Sequence, residues 1–453
     1  MERPRILVVG GGFAGVECAR RLERQLAPSE AEIAMIAPFS YELYLPLLPQ
    51  VAAGVLTPQS VAVSLRRMLR RTRIVPGGAI GIDDKAKMVI ARKITDEMVA
   101  EPYDYLVLAP GSVTRTFDIP GLAEYGRGMK TLAEAAYVRD HVLSQLDLAD
   151  AATTQQERIS RLGFVVVGGG YAGTETAACL QRVTANAVKR YPRLNPNLIK
   201  WHLVDIAPKL MPELGDMLGT EAMDLLRKRG IEISLGVSVA EAGEESVKFT
   251  DGRVVPARTL IWTAGVAASP LVGTLDAETV RGRLAVTAEM RVPQCDGVFA
   301  LGDAAAVPDL ASGDGAVCPP TAQHAQRQGK VVADNIIALL RGQETKPYFH
   351  KDLGLVVDLG GADAVSKPLG IELHGVAAQG VARGYHLMAL RTNVAKVRVM
   401  TNWLLNAVAG DDYVRTGFQA RRPARLRDFE YTDSYLTKEQ IRQHTAALHA
   451  RHQ

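Results

Sequence analysis

One glycine-rich phrase occurs twice in the chain and limits what it can fold into. Gly10-Gly11-Gly12-Phe13-Ala14-Gly15-Val16-Glu17 follows the apolar run Ile6 to Val9, and Gly168-Gly169-Gly170-Tyr171-Ala172-Gly173-Thr174-Glu175 follows Phe164 to Val167. Glycines at this spacing let backbone N–H groups approach a pyrophosphate, whose charge the following helix N-terminus favours. A lone G-x-G-x-x-G is a weak signal. Here it lies between a strand and a helix, near residue 1, and recurs in the same context, which makes it a strong one. With the helix Gly15 to Leu26 and the strand Ile33 to Ile36, the first copy reads as the βαβ opening of a doubly wound α/β sheet. The competing reading is a tight turn with no ligand.

The copies differ one strand later. Trp201 to Val204 ends in Asp205, a carboxylate placed to accept hydrogen bonds from a ribose 2′-hydroxyl and to repel a 2′-phosphate, which favours NADH over NADPH. Asp205 stands farther from its glycines than the ~20 residues of the compact motif, and Tyr191 to Pro196 reads as the inserted loop. The first copy has Ile36-Ala37-Pro38 at this point, with no carboxylate and Ser40 as a substitute ribose partner. A second echo pairs Leu106-Val107-Leu108-Ala109-Pro110-Gly111 with Leu260-Ile261-Trp262-Thr263-Ala264-Gly265, so the repeat extends over whole nucleotide-binding domains. Ala109, Gly111 and Gly265 then bring backbone to the two sites. Val298 to Leu301 is a further strand, ending in Gly302-Asp303-Ala304, where Asp303 meets a ligand hydroxyl at the switch-point crevice or simply caps a helix.

Between these landmarks, Tyr41 to Gly54 reads as an apolar loop and Leu65 to Arg71 as a helical turn with a solvated basic face. Thr131 to Ala149 reads as an amphipathic helix, Thr153 to Arg161 as a polar linker, and Thr321 to Leu340 as a helix. A 453-residue chain with 47% apolar and 23% charged residues holds roughly two to four domains. A net charge of +4 without a basic tail gives no case for nucleic acid. No secretory signal precedes the first strand, and the uncharged run Thr259 to Leu275 contains Pro270 and two glycines, so the expectation is a cytoplasmic protein without a transmembrane helix. Cys18, Cys179, Cys295 and Cys318 have no metal-ligand or disulfide-framework spacing, and buried reduced thiols are expected.

The last third changes character. Tyr348 to Val357 and Gly360 to Gly375 read as short strands. Leu387, Leu390, Val394, Val397, Met400 and Leu404 then recur at helical spacing, and nine Lys/Arg between Arg383 and Arg427 face two acids, Asp411 and Asp412. An amphipathic helix with Trp403 and a basic surround suits an anionic membrane surface. Packing on its own domain, or on a second subunit in a homodimer, is the alternative.

The glycine repeat, the Tyr41-to-Gly54 loop, Tyr103 to Ser112, Thr259 to Gly265, Val298 to Ala305 and Pro319-Pro320-Thr321-Ala322-Gln323 occur together and in order. The combination resembles the type II NADH dehydrogenases, single-subunit NADH:quinone oxidoreductases, as far as about Phe418. The resemblance implies two Rossmann-like dinucleotide-binding domains, the second inserted into the first, plus a C-terminal α+β domain. FAD would lie in 1–118 and 284–340, NADH in 119–283, and 341–453 would serve a membrane surface or dimerisation, at the inner face of the plasma membrane. Gly10, Gly12, Gly15 and Gly302-Asp303 would hold FAD; Gly168, Gly170, Gly173 and Asp205 would hold NADH. Glu175 matches the family glutamate beside nicotinamide and flavin, as a proton relay to quinone or, alternatively, a capping carboxylate at a helix start. Gln323 and Gln328 match the quinone-site stretch, whereas Arg327, Pro110, Glu42 and Ala37 depart from the family pattern. The rival expectations are a soluble NADH-dependent flavoprotein with a non-quinone acceptor, and a non-catalytic NADH-binding sensor.

Overall fold

The computed structural model describes residues 3–452 apart from 314, 351–353, 418–422 and 432–433. Its first sheet has seven strands in the spatial order Val298–Ala300, Tyr105–Leu108, Arg5–Val9, Glu32–Ala37, Arg73–Asp83, Met88–Lys93, Met98–Pro102. The first five run parallel and the last two complete an antiparallel edge. Strands covered on both faces read as continuous apolar runs, and Ile6 to Val9 and Leu106 to Leu108 are buried throughout. Helix Phe13–Gln25 packs on helix Ala322–Leu340. Their approach is close because Gly329 lies on the backbone of Ala14 and Cys18, where a Cβ would overlap the Ala14 carbonyl.

A five-stranded, all-parallel sheet lies between the two pieces of the first in sequence: Gly126–Gly128, Thr259–Trp262, Gly163–Val167, Lys200–Asp205, Ile231–Leu235. The copies superpose bond for bond. Gly10 N donates to Ile36 O at 2.9 Å and Gly168 N to Val204 O at 2.8 Å; Ala109 N donates to Val9 O at 2.9 Å and Thr263 N to Val167 O at 2.8 Å. Ala37 is therefore the positional counterpart of Asp205, and Ala109 of Thr263. The antiparallel pair Ser112–Thr114 with Val266–Ala268 ties one domain to the other just beyond the two echoed strands.

Three stretches differ from the sequence reading. Residues 153–161 are not an open linker: Thr154 caps helix Gln155–Arg161, its hydroxyl accepting from Glu157 N at 3.2 Å. Tyr41 to Gly54 is not a loop but strand Tyr41–Leu43, a 3₁₀ turn Leu45–Leu47 and helix Leu48–Ala52; Pro46 and Pro49 sit in the first turns, where the missing N–H costs nothing. The long spacing before Asp205 comes from the helix Tyr171–Ala187 as well as from the loop with its 3₁₀ turns, Val188–Arg190 and Pro196–Leu198.

The C-terminal part holds a three-stranded antiparallel sheet, Val356–Asp358, Ala364–Ser366 and Leu373–His374, and helices Gly375–Ala389 and Asn393–Ala409. Within Tyr348 to Val357, positions 351–353 lie outside the described residues, as do Arg421 and Arg422 of the basic stretch. The apolar stripe expected to run through Leu387 and Leu404 is interrupted. Leu390 leaves the first helix in an extended conformation, and Thr392 starts the second, accepting from Ala395 N at 3.3 Å. The second helix buries Ala395, Val399 and Trp403, while Val397, Met400, Leu404, Leu405 and Val408 stay exposed.

Arg391 occupies this break. Its guanidinium bonds Glu17 Oε2 and reaches Glu42 at 3.3 Å, both carboxylates being buried. Glu42, a departure from the family pattern, thus has a partner 349 residues away. An Arg391→Met variant leaves two buried carboxylates without their cation, so it should be destabilised by about 3–5 kcal/mol, read from the shift in urea midpoint.

Candidate functional site

Each glycine turn is built by backbone meeting backbone. Gly15 faces the Gly10 carbonyl and Gly173 the Gly168 carbonyl so closely that a Cβ would overlap either oxygen. Gly10 and Gly168 adopt φ of +111° and +113°, in the range that favours glycine. Gly12 and Gly170 differ: a Cβ on either would meet nothing within 4 Å. They cap helices Phe13–Gln25 and Tyr171–Ala187 without any side-chain hydrogen bond, whereas Thr131, Thr154, Thr321 and Thr392 supply such bonds to their helices. Two helix N-termini therefore present backbone N–H groups to open space, the arrangement that receives a pyrophosphate. On this ground the residues fit a dinucleotide at both turns.

The first cleft is walled by Gly10 to Phe13, Ala37 to Phe39, Gly78, Ala79 and Ala109 to Val113. At its mouth Lys130 Nζ donates to Ser112 Oγ at 2.6 Å and Ser112 Oγ to Asp303 Oδ2 at 2.6 Å. Asp303 lies in the 3₁₀ turn Gly302–Ala304 rather than at the start of a long helix. Gln328 is buried, and its Oε1 accepts from Gly302 N at 2.8 Å, so it holds that turn. Gln323 donates from Nε2 to Gly354 O at 3.1 Å, while its Oε1 is buried without a hydrogen-bond partner among the described residues. Gly111 and Gly265 hold positive φ at the ends of the paired inter-domain crossings.

At the second turn, Asp205 Oδ2 accepts from Gly169 N, and Oδ1 accepts from Ala207 N at 2.7 Å. The carboxylate is thereby oriented at the end of its strand, half-exposed beside the uncapped helix. Glu175 lies one turn farther into that helix and is buried, so it is no cap: the N-cap is Gly170. Its Oε1 accepts from Asp358 N at 2.9 Å. Burial first, and then the Asp358 charge, push its carboxyl well above the usual range against that one stabilising bond.

Tyr44 packs against the first turn and feels the charge of Glu175 from the second helix. The Phe13 ring packs edge-on against it at 5.9 Å, and its hydroxyl lies 3.1 Å from His386 Nδ1. Burial raises the Tyr44 phenol, with Tyr385, Glu42 and Glu175 adding to the rise. His386 is driven down to about 4 by burial. Behind Glu175, Asp358 Oδ2 accepts from Gln50 Nε2 at 2.6 Å, and Gln50 Oε1 from Trp403 Nε1 at 2.7 Å. Sequence reasoning missed Tyr44, Lys130, Asp358, His386 and Arg391, which are single polar residues in unremarkable stretches. The two prolines beside Tyr44 were the available hint that its segment is rigid. All four cysteines are buried, and no cluster of metal-ligating side chains occurs among the described residues.

Residues 4–329 match the family model described as pyridine nucleotide-disulphide oxidoreductase. The chain is 30% identical over 419 residues to the type II NADH:quinone oxidoreductase Ndh of Mycobacterium tuberculosis, covering 89% of this chain and 88% of that protein. It is 28% identical over 382 residues to the type II NADH:quinone oxidoreductase of Staphylococcus saprophyticus, covering 83% and 92%. Among solved structures, NDH2 from Plasmodium falciparum in complex with NADH has the same fold, with a TM-score of 0.85 at 17% identity over 91% of this chain and 100% of that one.

The glycines make a discriminating pair of variants. Gly12→Ala adds a methyl to open space and should leave the urea stability of the cofactor-free protein within about 0.5 kcal/mol of native while abolishing dinucleotide retention. Gly15→Ala drives a Cβ into the Gly10 carbonyl and should cost stability as well, by about 1–3 kcal/mol.

Proposed function

This chain belongs to the type II NADH:quinone oxidoreductases, within the pyridine nucleotide-disulphide oxidoreductase family, and on that premise we propose how its two sites act. It is an FAD-dependent enzyme that takes hydride from NADH and passes two electrons to a quinone without pumping protons. The observation that carries the assignment of sites is the pair of glycine-turn helices whose N-termini carry no side-chain cap and face open space at Gly12 and Gly170. Residues 1–118 and 284–340 form the FAD domain, with Gly10, Gly12, Gly15, Ala109, Gly111, Gly302 and Asp303 as its contacts. Residues 119–283 form the NADH domain, with Gly168, Gly170, Gly173, Asp205 and Gly265. Bound flavin supplies the hydride-accepting ring and the passage of two electrons onward. The protein's share is alignment, exclusion of water and control of protons.

Asp205, oriented by Gly169 and Ala207, selects NADH by accepting ribose hydroxyls and repelling a phosphate. Gln323, with its unpartnered buried Oε1, faces the quinone side, and Gln328 acts by holding Gly302. The decisive experiment is anaerobic titration with NADH, followed by menaquinone and ubiquinone analogues. Flavin colour should bleach with NADH faster than with NADPH and return on quinone addition. Bleaching without reoxidation by any quinone would move the protein to another acceptor or a sensing role.

Glu175 relays a proton to the quinone. Burial raises its pKa and so favours the protonated carboxyl, the form that can donate. The acid form is the active one, and turnover should therefore fall as pH rises through that pKa. In Glu175→Gln the alkaline limb should vanish together with about 10²-fold or more of quinone turnover, while bleaching by NADH in stopped flow persists.

No helix among the described residues is long and apolar enough to cross a membrane. The exposed face Val397, Met400, Leu404, Leu405 of helix Asn393–Ala409 contacts the membrane surface, at the inner face of the plasma membrane, with Lys396 and Arg398 beside it. The triple variant Met400→Ser, Leu404→Ser, Leu405→Ser should lower flotation with anionic vesicles by at least tenfold, since each lost side chain removes about 1.5–3 kcal/mol of burial. A shift in sedimentation without a change in flotation would instead make this face a homodimer interface.

A further inference from the structure

We infer that the C-terminal segment around Glu430, Tyr431 and Tyr435 is a fixed wall of the first nucleotide cleft and retains flavin adenine dinucleotide there. The inference rests on reading that cleft as the FAD site. The segment returns from the far end of the chain and crosses both domains. Ala424 N donates to Tyr137 Oη at 3.1 Å and Leu426 N to Ala123 O at 3.0 Å, while the Phe429 ring packs on Tyr137 at 5.5 Å. Glu430 is then pinned to the inter-domain strand, both of its carboxylate oxygens accepting from Thr114 N at 3.1 and 3.0 Å. Arg427 stands 3.7 Å from the same carboxylate.

Two tyrosines beyond Glu430 stand at the cleft. Tyr431 packs against Gly78, so closely that a Cβ on that glycine would overlap its ring. Tyr435 reaches Ser269, hydroxyl to hydroxyl, at 3.4 Å. Glu430, Tyr431 and Tyr435 line the same cleft as Gly10 to Phe13 and Ala37. Beyond it the segment is fastened again: Leu436 N donates to Ile80 O at 2.9 Å, Ile441 packs with Ile80 and Ile90, and Lys438 pairs with Asp276 at 2.7 Å.

The chemistry of the cleft selects the occupant. The uncapped helix N-terminus and Lys130 offer positive charge for a pyrophosphate, and Tyr431 adds an aromatic wall beside the Gly78–Ala79 backbone. The first copy lacks the ribose carboxylate that Asp205 supplies to the second, so its grip on a nucleotide must come from elsewhere. A substrate such as NADH has to leave at every turnover, whereas a resident cofactor must not. A strap fastened on both sides of the cleft slows departure because release requires breaking its anchors first.

The test follows FAD release from the full-length holoprotein, diluted into flavin-free buffer, by recovery of free FAD fluorescence. Tyr431→Ala and Glu430→Ala should release FAD about tenfold faster than native or more, with Tyr431→Phe close to native and Glu430→Gln between. Hydrogen exchange on the native chain gives the reciprocal readout, and it decides the matter where a variant folds poorly: the Leu436 and Ile441 amides should exchange more slowly in FAD-loaded than in FAD-stripped protein. Release from both alanine variants within about twofold of native, or identical exchange in the two states, overturns the inference. A native protein that takes up no FAD at all overturns the reading of the cleft itself, and the inference with it.

Discussion

At Gly15 and Gly173 a helix is laid directly on a carbonyl of the turn that precedes it, and the geometry of both sites follows from that contact. A side chain at either position would push the helix away from its strand. With hydrogen in its place, each helix axis is fixed against the end of a buried parallel strand, and its first N–H groups are left facing the crevice with no side chain to satisfy them. Because the same contact is made twice, the two crevices share a register down to single hydrogen bonds, from Gly10–Ile36 and Gly168–Val204 to Ala109–Val9 and Thr263–Val167.

Identical backbones then carry different chemistry. The glutamate closing each phrase sits at the same helical position, yet Glu17 is bonded by Arg391 while Glu175 receives only the Asp358 N–H. One is held as part of a buried ion cluster that fastens the C-terminal region to the first domain. The other is left in a low-dielectric pocket where the neutral form is favoured. The asymmetry at Ala37 and Asp205 has the same character: equivalent places, one apolar against Gly11 and one a carboxylate ordering its own turn.

How much of this the sequence disclosed depends on the range of the interaction. The glycine turns, the echoed strands, Asp205 and the helices at Thr131 and Thr321 were readable because each is written in consecutive residues whose spacing has a local physical meaning. Helix Gln155–Arg161 was misread as a linker because its composition is polar, although Thr154 with Glu157 is an N-terminal signal. The Tyr41-to-Gly54 segment was read as a loop because proline there suggests irregular backbone, and its two short helices use proline only in their first turns. The continuous stripe after Leu387 failed because helical spacing does not report which side is covered, and the break at Leu390 to Thr392 is set by Arg391 reaching two acids hundreds of positions earlier. Asp358, Lys130 and the strap at Glu430 belong to the same class, since each acts through a partner that only the fold brings near.

The protonation state of Glu175 shows how these long-range choices combine. A buried glutamate ionises when a cation is placed against it, and Arg391 lies near enough to act on the Tyr44 phenol, lowering it where Glu175 raises it. That cation is committed to Glu17 and Glu42. His386, the other group able to carry positive charge beside Tyr44, is kept neutral near pH 7 by burial, with its pKa down at about 4. Asp358 contributes repulsion through its charge while stabilising through its backbone N–H, and burial outweighs the latter. The balance favours the neutral carboxyl. The departure at Glu42 belongs to this division of charge: with Glu17 it shares Arg391, while burial and Asp358 set the state of the Glu175 carboxyl.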